Sequence, residues 1–140
     1  MEHGAIDLDC LTQMYRPQSN HGNELMFQSL AAVWSLYRER RARRLLVARV
    51  VEHDCERAEY RSAVPGAEVT VCRLTAPVGL MQTRLHMREV GTNHDSALAR
   101  SAELDGILRD AAVEDFTVAN DGMRSGSDVA RELLTKANWL

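Results

Sequence analysis

The sequence predicts an α/β fold: a mainly parallel sheet with flanking helices. Three observations carry that expectation. Short apolar runs alternate with stretches of helical period along the chain. Two of the runs, residues 45–51 (Leu-Leu-Val-Ala-Arg-Val-Val) and 69–74 (Val-Thr-Val-Cys-Arg-Leu), are nearly continuous and rich in β-branched residues, as in strands buried on both faces. The composition is that of an ordinary globular chain, with 45% hydrophobic and 26% charged residues, which argues against disorder. Strand–helix alternation implies right-handed crossovers and hence parallel pairing.

The elements follow in order. A short apolar run over 5–8, with Asp7 and Asp9 near its end, reads as a strand. Residues 13–22, holding Pro17, Ser19, Asn20 and Gly22, read as a loop. From 23 to 40 the pattern is helical: Met26, Leu30, Val33 and Tyr37 share a face, with Phe27 and Trp34 beside them. Asn23 is the expected N-cap. Arg38, Arg40 and Arg41 suit the negative end of the helix dipole. After the strand at 45–51, a short helix over 55–63 is closed by Pro65-Gly66. The strand at 69–74 leads into Thr75-Ala76-Pro77, a helix start, followed by Leu80, Met81, Arg84, Leu85 and Arg88 at helical spacing. Residues 91–95 read as a polar loop. A helix over 96–112 turns Leu104, Ile107, Leu108 and Ala111 inward. A strand at 116–119, a turn at Asn120-Asp121-Gly122 and a last helix capped by Ser127 close the chain. Length and the lack of a linker or repeat predict one domain over 1–140.

Charge and cysteines narrow the class. A formal net charge of -3 offers no electrostatic reason to expect nucleic acid. Lys136 is the single lysine, so nearly all positive charge is guanidinium, which grips phosphate with two parallel hydrogen bonds. Cys10, Cys55 and Cys72 are widely spaced with no C-x-x-C, so reduced thiols are expected, with Cys72 in the core. The five histidines lack ligand spacing, and no metal site is expected. No apolar stretch approaches the ~20 residues of a membrane span. The first residues lack the pattern of a signal peptide, which predicts a cytoplasmic chain.

The segment Val71-Cys-Arg-Leu-Thr-Ala-Pro, followed by Leu80-Met-Gln-Thr-Arg-Leu-His-Met-Arg-Glu89, resembles the fourth strand and lid helix of P-loop small-molecule kinases: the shikimate, gluconate, adenylylsulfate and adenylate kinases. Ala5-Ile-Asp-Leu-Asp9 resembles their second strand with its acidic substrate-side residues. Asn120-Asp-Gly-Met-Arg-Ser125 resembles the loop near the nucleotide base, and Val129-Ala-Arg-Glu-Leu-Leu resembles the last helix. The resemblance spans almost the whole chain and rests on the ordered set. It implies a fold like a P-loop kinase lacking its first strand, phosphate loop and first helix. It implies ATP and Mg2+ as the family's cofactors and a small hydroxyl compound as substrate class. One motif departs from the family: G-x-x-x-x-G-K-[ST], whose backbone N–H groups and lysine grip the phosphates, occurs nowhere. Lys136 has no glycine loop before it. The resemblance therefore implies an inactive chain that does not bind ATP tightly; the alternative is a non-enzymatic remnant acting by association.

The resemblance assigns roles that spacing leaves open. Arg84 and Arg88, four apart on one helix face, are lid candidates for the catalytic role; a solvated basic face gives the same spacing. Arg100 is a weaker candidate. Asp7 and Asp9 would bind the substrate hydroxyl or act as base; they could equally cap the next helix or face water. Asp121 and Arg124 would line the nucleotide site, although Asn-Asp-Gly is also an ordinary turn.

In the family order 2-3-1-4-5 the absent strand is the central one. The remaining crossovers would place three sets of helices on one face and a single helix on the other. Leu45, Val47, Val51, Val69 and Val71 would then lie partly bare, a surface for a homo-oligomer or another protein.

Overall fold

The computed structural model describes residues 2–12, 23–88 and 93–140; the side chains at 88 and 93–97 lie outside the description. The loop expected over 13–22 and the first part of that over 91–95 fall outside it too. The chain forms two compact units, Met1–Val69 and Thr70–Leu140. The first holds β1 (His3–Asp7), a 3-10 turn (Leu8–Leu11), α1 (Glu24–Glu39), β2 (Arg44–Ala48) and α2 (Glu56–Ala63). The second holds β3 (Cys72–Thr75), α3 (Val78–Arg88), α4 (Asn93–Ala111), β4 (Phe116–Ala119) and α5 (Gly126–Lys136). The α/β class and the parallel pairing are as the sequence predicts. The ladders are two, each of two strands: β1 with β2 and β3 with β4. Among the described residues no helix is long and apolar enough to cross a membrane.

In the first unit, α1 and α2 cover one face of the β1–β2 ladder. Leu8, Met26, Leu30, Tyr60, Ala63 and Val64 are buried together, and Ile6, Leu45, Val47, Phe27 and Trp34 pack around them. Gly4 is buried because Tyr37 needs its place: a Cβ there would lie 2.4 Å from Tyr37 Cδ2. Both strands alternate. Gly4 and Ile6 turn inward between exposed His3, Ala5 and Asp7, while Leu45 and Val47 turn inward and Leu46 is 40% exposed. The expectation that 45–51 is buried on both faces is therefore corrected. With helices on one face only, the run behaves as a half-covered strand. The bare apolar residues are the alternate set: Leu46, Val50 and, on β3, Leu74.

The second unit has a thinner core. Among the described residues Val118 and Val129 are its buried apolar side chains, with Leu104, Ile107, Leu108, Leu133 and Leu134 half-buried and Ala111 exposed. Polar links do more of the work. Arg73, with a side chain 14% exposed, pairs with Asp105 at 2.8 Å and with Glu114 at 3.6 Å. Asp115 joins the ladder's start by two bonds: its N–H donates to Val71 O at 2.8 Å, and its Oδ2 accepts from the Val71 N–H at 2.7 Å.

Several boundaries differ from the sequence reading. The strand expected over 69–74 begins at Cys72, because Val69 belongs to the first unit, where its carbonyl accepts from Arg57 Nη1 at 3.1 Å. β2 ends at Ala48, where Arg49 turns to the first turn of α1. α4 starts at Asn93, so the polar stretch Asn93-His94-Asp95 is helix rather than loop. Asn23 does not cap α1; its Oδ1 accepts from Arg49 Nη2 at 2.8 Å instead. The cap of α5 is Ser125, not Ser127: Ser125 Oγ accepts from the Asp128 N–H at 3.2 Å.

Candidate functional site

Parallel strands gather their carboxyl ends at one edge, where ligand sites of α/β folds form. Each unit has such an edge, and both are polar.

At the first, β1 ends on Asp7 and β2 on Ala48, which face each other in register. Asp7 Oδ1 accepts from the Asp9 N–H at 3.1 Å and so caps the 3-10 turn. Asp9 is exposed. Arg49 follows β2 and reaches Asn23. Glu56, only 6% exposed, folds back so that its Oε1 accepts from the N–H groups of Glu52 at 2.9 Å and His53 at 3.1 Å. Side-chain charges of both signs act on buried Tyr60: Arg49 on one side of the balance and Glu56, Asp9 and Glu59 on the other. Burial pushes the Tyr60 phenol up to about 12, and the Arg49 guanidinium acts against that rise. Sequence reading named Asp7 and Asp9 here and missed Arg49, Glu56 and Tyr60. The signal for Arg49 was present, as a lone charge inside an apolar run.

At the second edge, β3 ends on Thr75 and β4 on Ala119, again in register. The Asn120 N–H extends the ladder by donating to Thr75 O at 2.7 Å. Arg84, half-buried on α3, donates through Nη1 to Asn120 O at 3.1 Å and through Nη2 to Asn120 Oδ1 at 3.2 Å. It is a latch from α3 to the end of β4, not a solvated charge. Arg88 shares α3, and its side chain lies outside the described residues. Arg100 pairs with Glu103 at 3.0 Å on the surface of α4. Asp121 Oδ1 accepts from the Met123 N–H at 2.9 Å and shapes the turn in which Gly122 has φ of +82°. Arg124 donates to Ala119 O at 2.6 Å and pairs with Glu132 at 2.5 Å. That hydrogen bond to Glu132 holds the Arg124 pKa above the ordinary guanidinium range. Lys136 Nζ donates to Thr117 O at 2.9 Å and pairs with Glu132 at 2.8 Å, and bonds from Lys136 first and Arg124 second hold the Glu132 carboxyl low.

The structure thus brings Arg84, Asp121 and Arg124 to one strand edge and keeps Asp7 and Asp9 on the other unit's edge. The described residues do not fit a magnesium–triphosphate group. Arg84 and Arg124 are bound to protein acceptors, Lys136 is held on β4, and no glycine loop offers converging N–H groups. Among the described residues no group of three His, Cys, Asp or Glu side chains could hold a metal ion. Away from both edges, a shallow cleft of about 450 Å³ between α1 and α2 is lined by Trp34, Arg38, Ser62 and Pro65. Comparison with protein-family models, curated proteins and solved structures yields no match for this chain.

Proposed function

We propose that this chain is a P-loop-kinase-like domain, related to ATP-dependent phosphotransferases acting on a small hydroxyl substrate, and inactive on its own. The observation that carries the reading is the pairing of strands. β1–β2 and β3–β4 are two separate parallel ladders, and a 2-3-1-4-5 sheet lacking its central strand would leave two such pairs. The placement of Arg84, Asp121 and Arg124 at one carboxyl edge, and of Asp7 and Asp9 at the other, agrees with the lid, base-side and substrate-side roles. Arg84 in that role would have to leave Asn120 when a phosphoryl group arrives.

The test is a graft. A strand, a Gly-x-x-x-x-Gly-Lys-Ser loop and a helix are joined ahead of Met1, and magnesium-ATP binding is followed by calorimetry. The grafted chain is expected to bind ATP and hydrolyse it slowly, with Arg84→Ala and Arg88→Ala lowering turnover more than affinity. The chain without the graft is expected to show no micromolar binding. A grafted protein that folds yet ignores ATP, or an ungrafted chain that binds it tightly, removes the reading.

A second reading, association, is favoured by the half-bare strands: Leu46, Val50 and Leu74 are 40%, 38% and 53% exposed. It predicts a homo-oligomer or a protein partner over those residues. Light scattering at micromolar concentration is expected to give a mass above the 15.7 kDa of one chain.

A further inference from the structure

The formal net charge of -3 hides a local excess of the opposite sign. Residues 38–44, Arg-Glu-Arg-Arg-Ala-Arg-Arg, hold five arginines and one glutamate. They run from the last turn of α1 to the first residue of β2, at the amino end of the β1–β2 ladder. Arg38, Arg40, Arg41 and Arg43 are exposed, and among the described residues none of the four pairs with a carboxylate. Other arginines of the chain are held by protein acceptors: Arg57 by Asp54, Arg73 by Asp105 and Arg84 by Asn120.

Structural duties account for little of this run. The negative end of a helix favours cations in its last turn, which covers Arg38. The chain then leaves α1 by backbone bonds alone. The Arg41 N–H donates to Arg38 O and the Ala42 N–H to Tyr37 O, both at 3.0 Å. In that arrangement glycine ordinarily takes the left-handed position. Here Arg41 takes it, with φ of +69°. A side chain at that angle carries strain that glycine would avoid. The turn thus works against Arg41, and its guanidinium needs another reason. The run also borders the cleft between α1 and α2. Arg38 and Glu39 line that cleft with Trp34, Ser35, Ser62 and Pro65. Its volume of about 450 Å³ is in the range that takes a small ligand group.

We propose that the arginine run and this cleft bind a single-stranded nucleic acid, with the guanidinium groups on successive phosphates and one base in the cleft against Trp34. A guanidinium meets a phosphate with two parallel N–H groups. A single strand can follow a turn of the protein surface, and its bases are free to stack on an aromatic ring, whereas a duplex keeps them stacked on one another. Glu39 repels a phosphate from the cleft but accepts from the exocyclic amino group of a cytosine. A flat anionic membrane would meet the arginines and leave the cleft empty. The surface lies at the opposite end of the ladder from Asp7 and Ala48, and it stands whether or not the kinase-like reading does.

The experiment titrates the full chain with a short fluorescein-labelled oligocytidylate and follows anisotropy. Saturable binding is expected, with log K falling against log salt at a slope of about -2 to -3, as for three or four neutralised phosphates of a single strand. Trp139→Phe leaves Trp34 as the single tryptophan, and an unlabelled strand should quench its emission. Arg41→Gly relieves the turn, so it is expected to raise the Tm while weakening binding about fivefold, the upper range for one exposed charged contact. Arg40→Gln combined with Arg43→Gln should fold as the parent does and bind more weakly still, with a shallower salt slope. Inorganic polyphosphate and phosphatidylserine vesicles are the comparison ligands. Tighter binding of the oligonucleotide than of either supports the proposal. Equal or tighter binding of polyphosphate, or binding to vesicles without the oligonucleotide, overturns it. So do an unchanged Trp34 emission at saturation, and Arg41→Gly binding as tightly as the parent.

Discussion

The two units bury their interiors by different means. The first is organised around Leu8, Met26 and Leu30, each fully buried, with two aromatic rings, Phe27 and Tyr60, locked edge to face. The second has Val118 and Val129 at its centre and is tied together by guanidinium and ammonium groups: Arg73 to Asp105 and Glu114, Arg84 to Asn120, Arg124 to Glu132, Lys136 to Glu132. Apolar burial is non-directional and depends on area. Charged links depend on geometry and on the protonation of both partners. The two units should therefore respond differently to core truncation, to pH and to loss of a single charge. Trp34 lies in the first unit and Trp139 in the second, so single-tryptophan variants report each by fluorescence.

The largest contrast is expected from truncating an apolar side chain. Leu30→Ala removes a fully buried side chain from among Leu8, Met26 and Tyr60 and should cost about 3 kcal/mol. Denaturant melts should show the loss in the Trp34 signal, with the Trp139 signal moved much less. Equal shifts in both signals would mean that the two units unfold as one and that the division has no energetic meaning.

The next contrast is in pH. The folded-state phenol of Tyr60 lies near 12 against an ordinary 10, so its contribution is intact below pH 10 and is lost as pH rises towards 12. The loss should reach roughly 2–3 kcal/mol, and Tyr60→Phe should abolish it. In the second unit the sign reverses. Glu132 and Asp128 are held below their ordinary 4.5 and 3.8, by Lys136 and Arg124 for the first and by Ser125 for the second. Their contribution is present above those values and disappears as pH falls through the depressed ones. Alkaline melts should therefore fail first at Trp34 and acid melts first at Trp139. The reverse order would sink the electrostatic account of both.

These contrasts also explain what could be read from the sequence. The strand at Phe116–Ala119 is legible to the residue, and α1 and α2 are legible to within one, because apolar periodicity and turn residues are local signals. The run at 69–74 is misread because no local signal tells that Val69 packs into one unit and Cys72 starts a strand in the other. Asn23 and Ser127 are misread as caps for a related reason. Asn23 has a better partner 26 residues away in Arg49, and Ser125 stands two residues nearer the turn than Ser127 does. Arg73 and Asp105 are 32 residues apart, so their pairing has no sequence signature. Gly4 reads as an ordinary glycine until Tyr37 is seen against it. Of the site residues, types and order were legible, whereas the acceptors that occupy Arg84 and Arg124 were not.

A smaller effect should follow from Arg73→Ala. It takes a cation from two carboxylates: Glu114, 17% exposed, loses this partner, while Asp105, 26% exposed, keeps Arg109. Full burial would make the break worse; partial solvation should bring the cost to about 2 kcal/mol. The Trp139 signal should carry it. Arg73→Met should recover part of the packing without the charge, and full recovery would show that the pair contributes shape alone.

The smallest effect separates latch from lid in Arg84. Two hydrogen bonds to the neutral Asn120 are worth about 1 kcal/mol together, because each replaces one to water. Arg84→Ala should lower the stability of the second unit by that amount, and a double-mutant cycle with Asn120→Ala, which removes the Oδ1 acceptor and keeps the carbonyl, should give coupling of about half that size. Arg84→Lys cannot make both bonds, since an ammonium lacks the planar fork, so it should behave nearly as the alanine variant does. Zero coupling would mean that the Asn120 side chain does not hold Arg84 and that only the carbonyl bond ties it to the β4 edge. Strong coupling would mean that any phosphoryl ligand at this edge must compete with Asn120. Its binding would then be tighter in Asn120→Ala than in the parent chain, although the variant is the less stable protein. Stability and affinity moving in opposite directions is the signature of a side chain that the fold and a ligand both require.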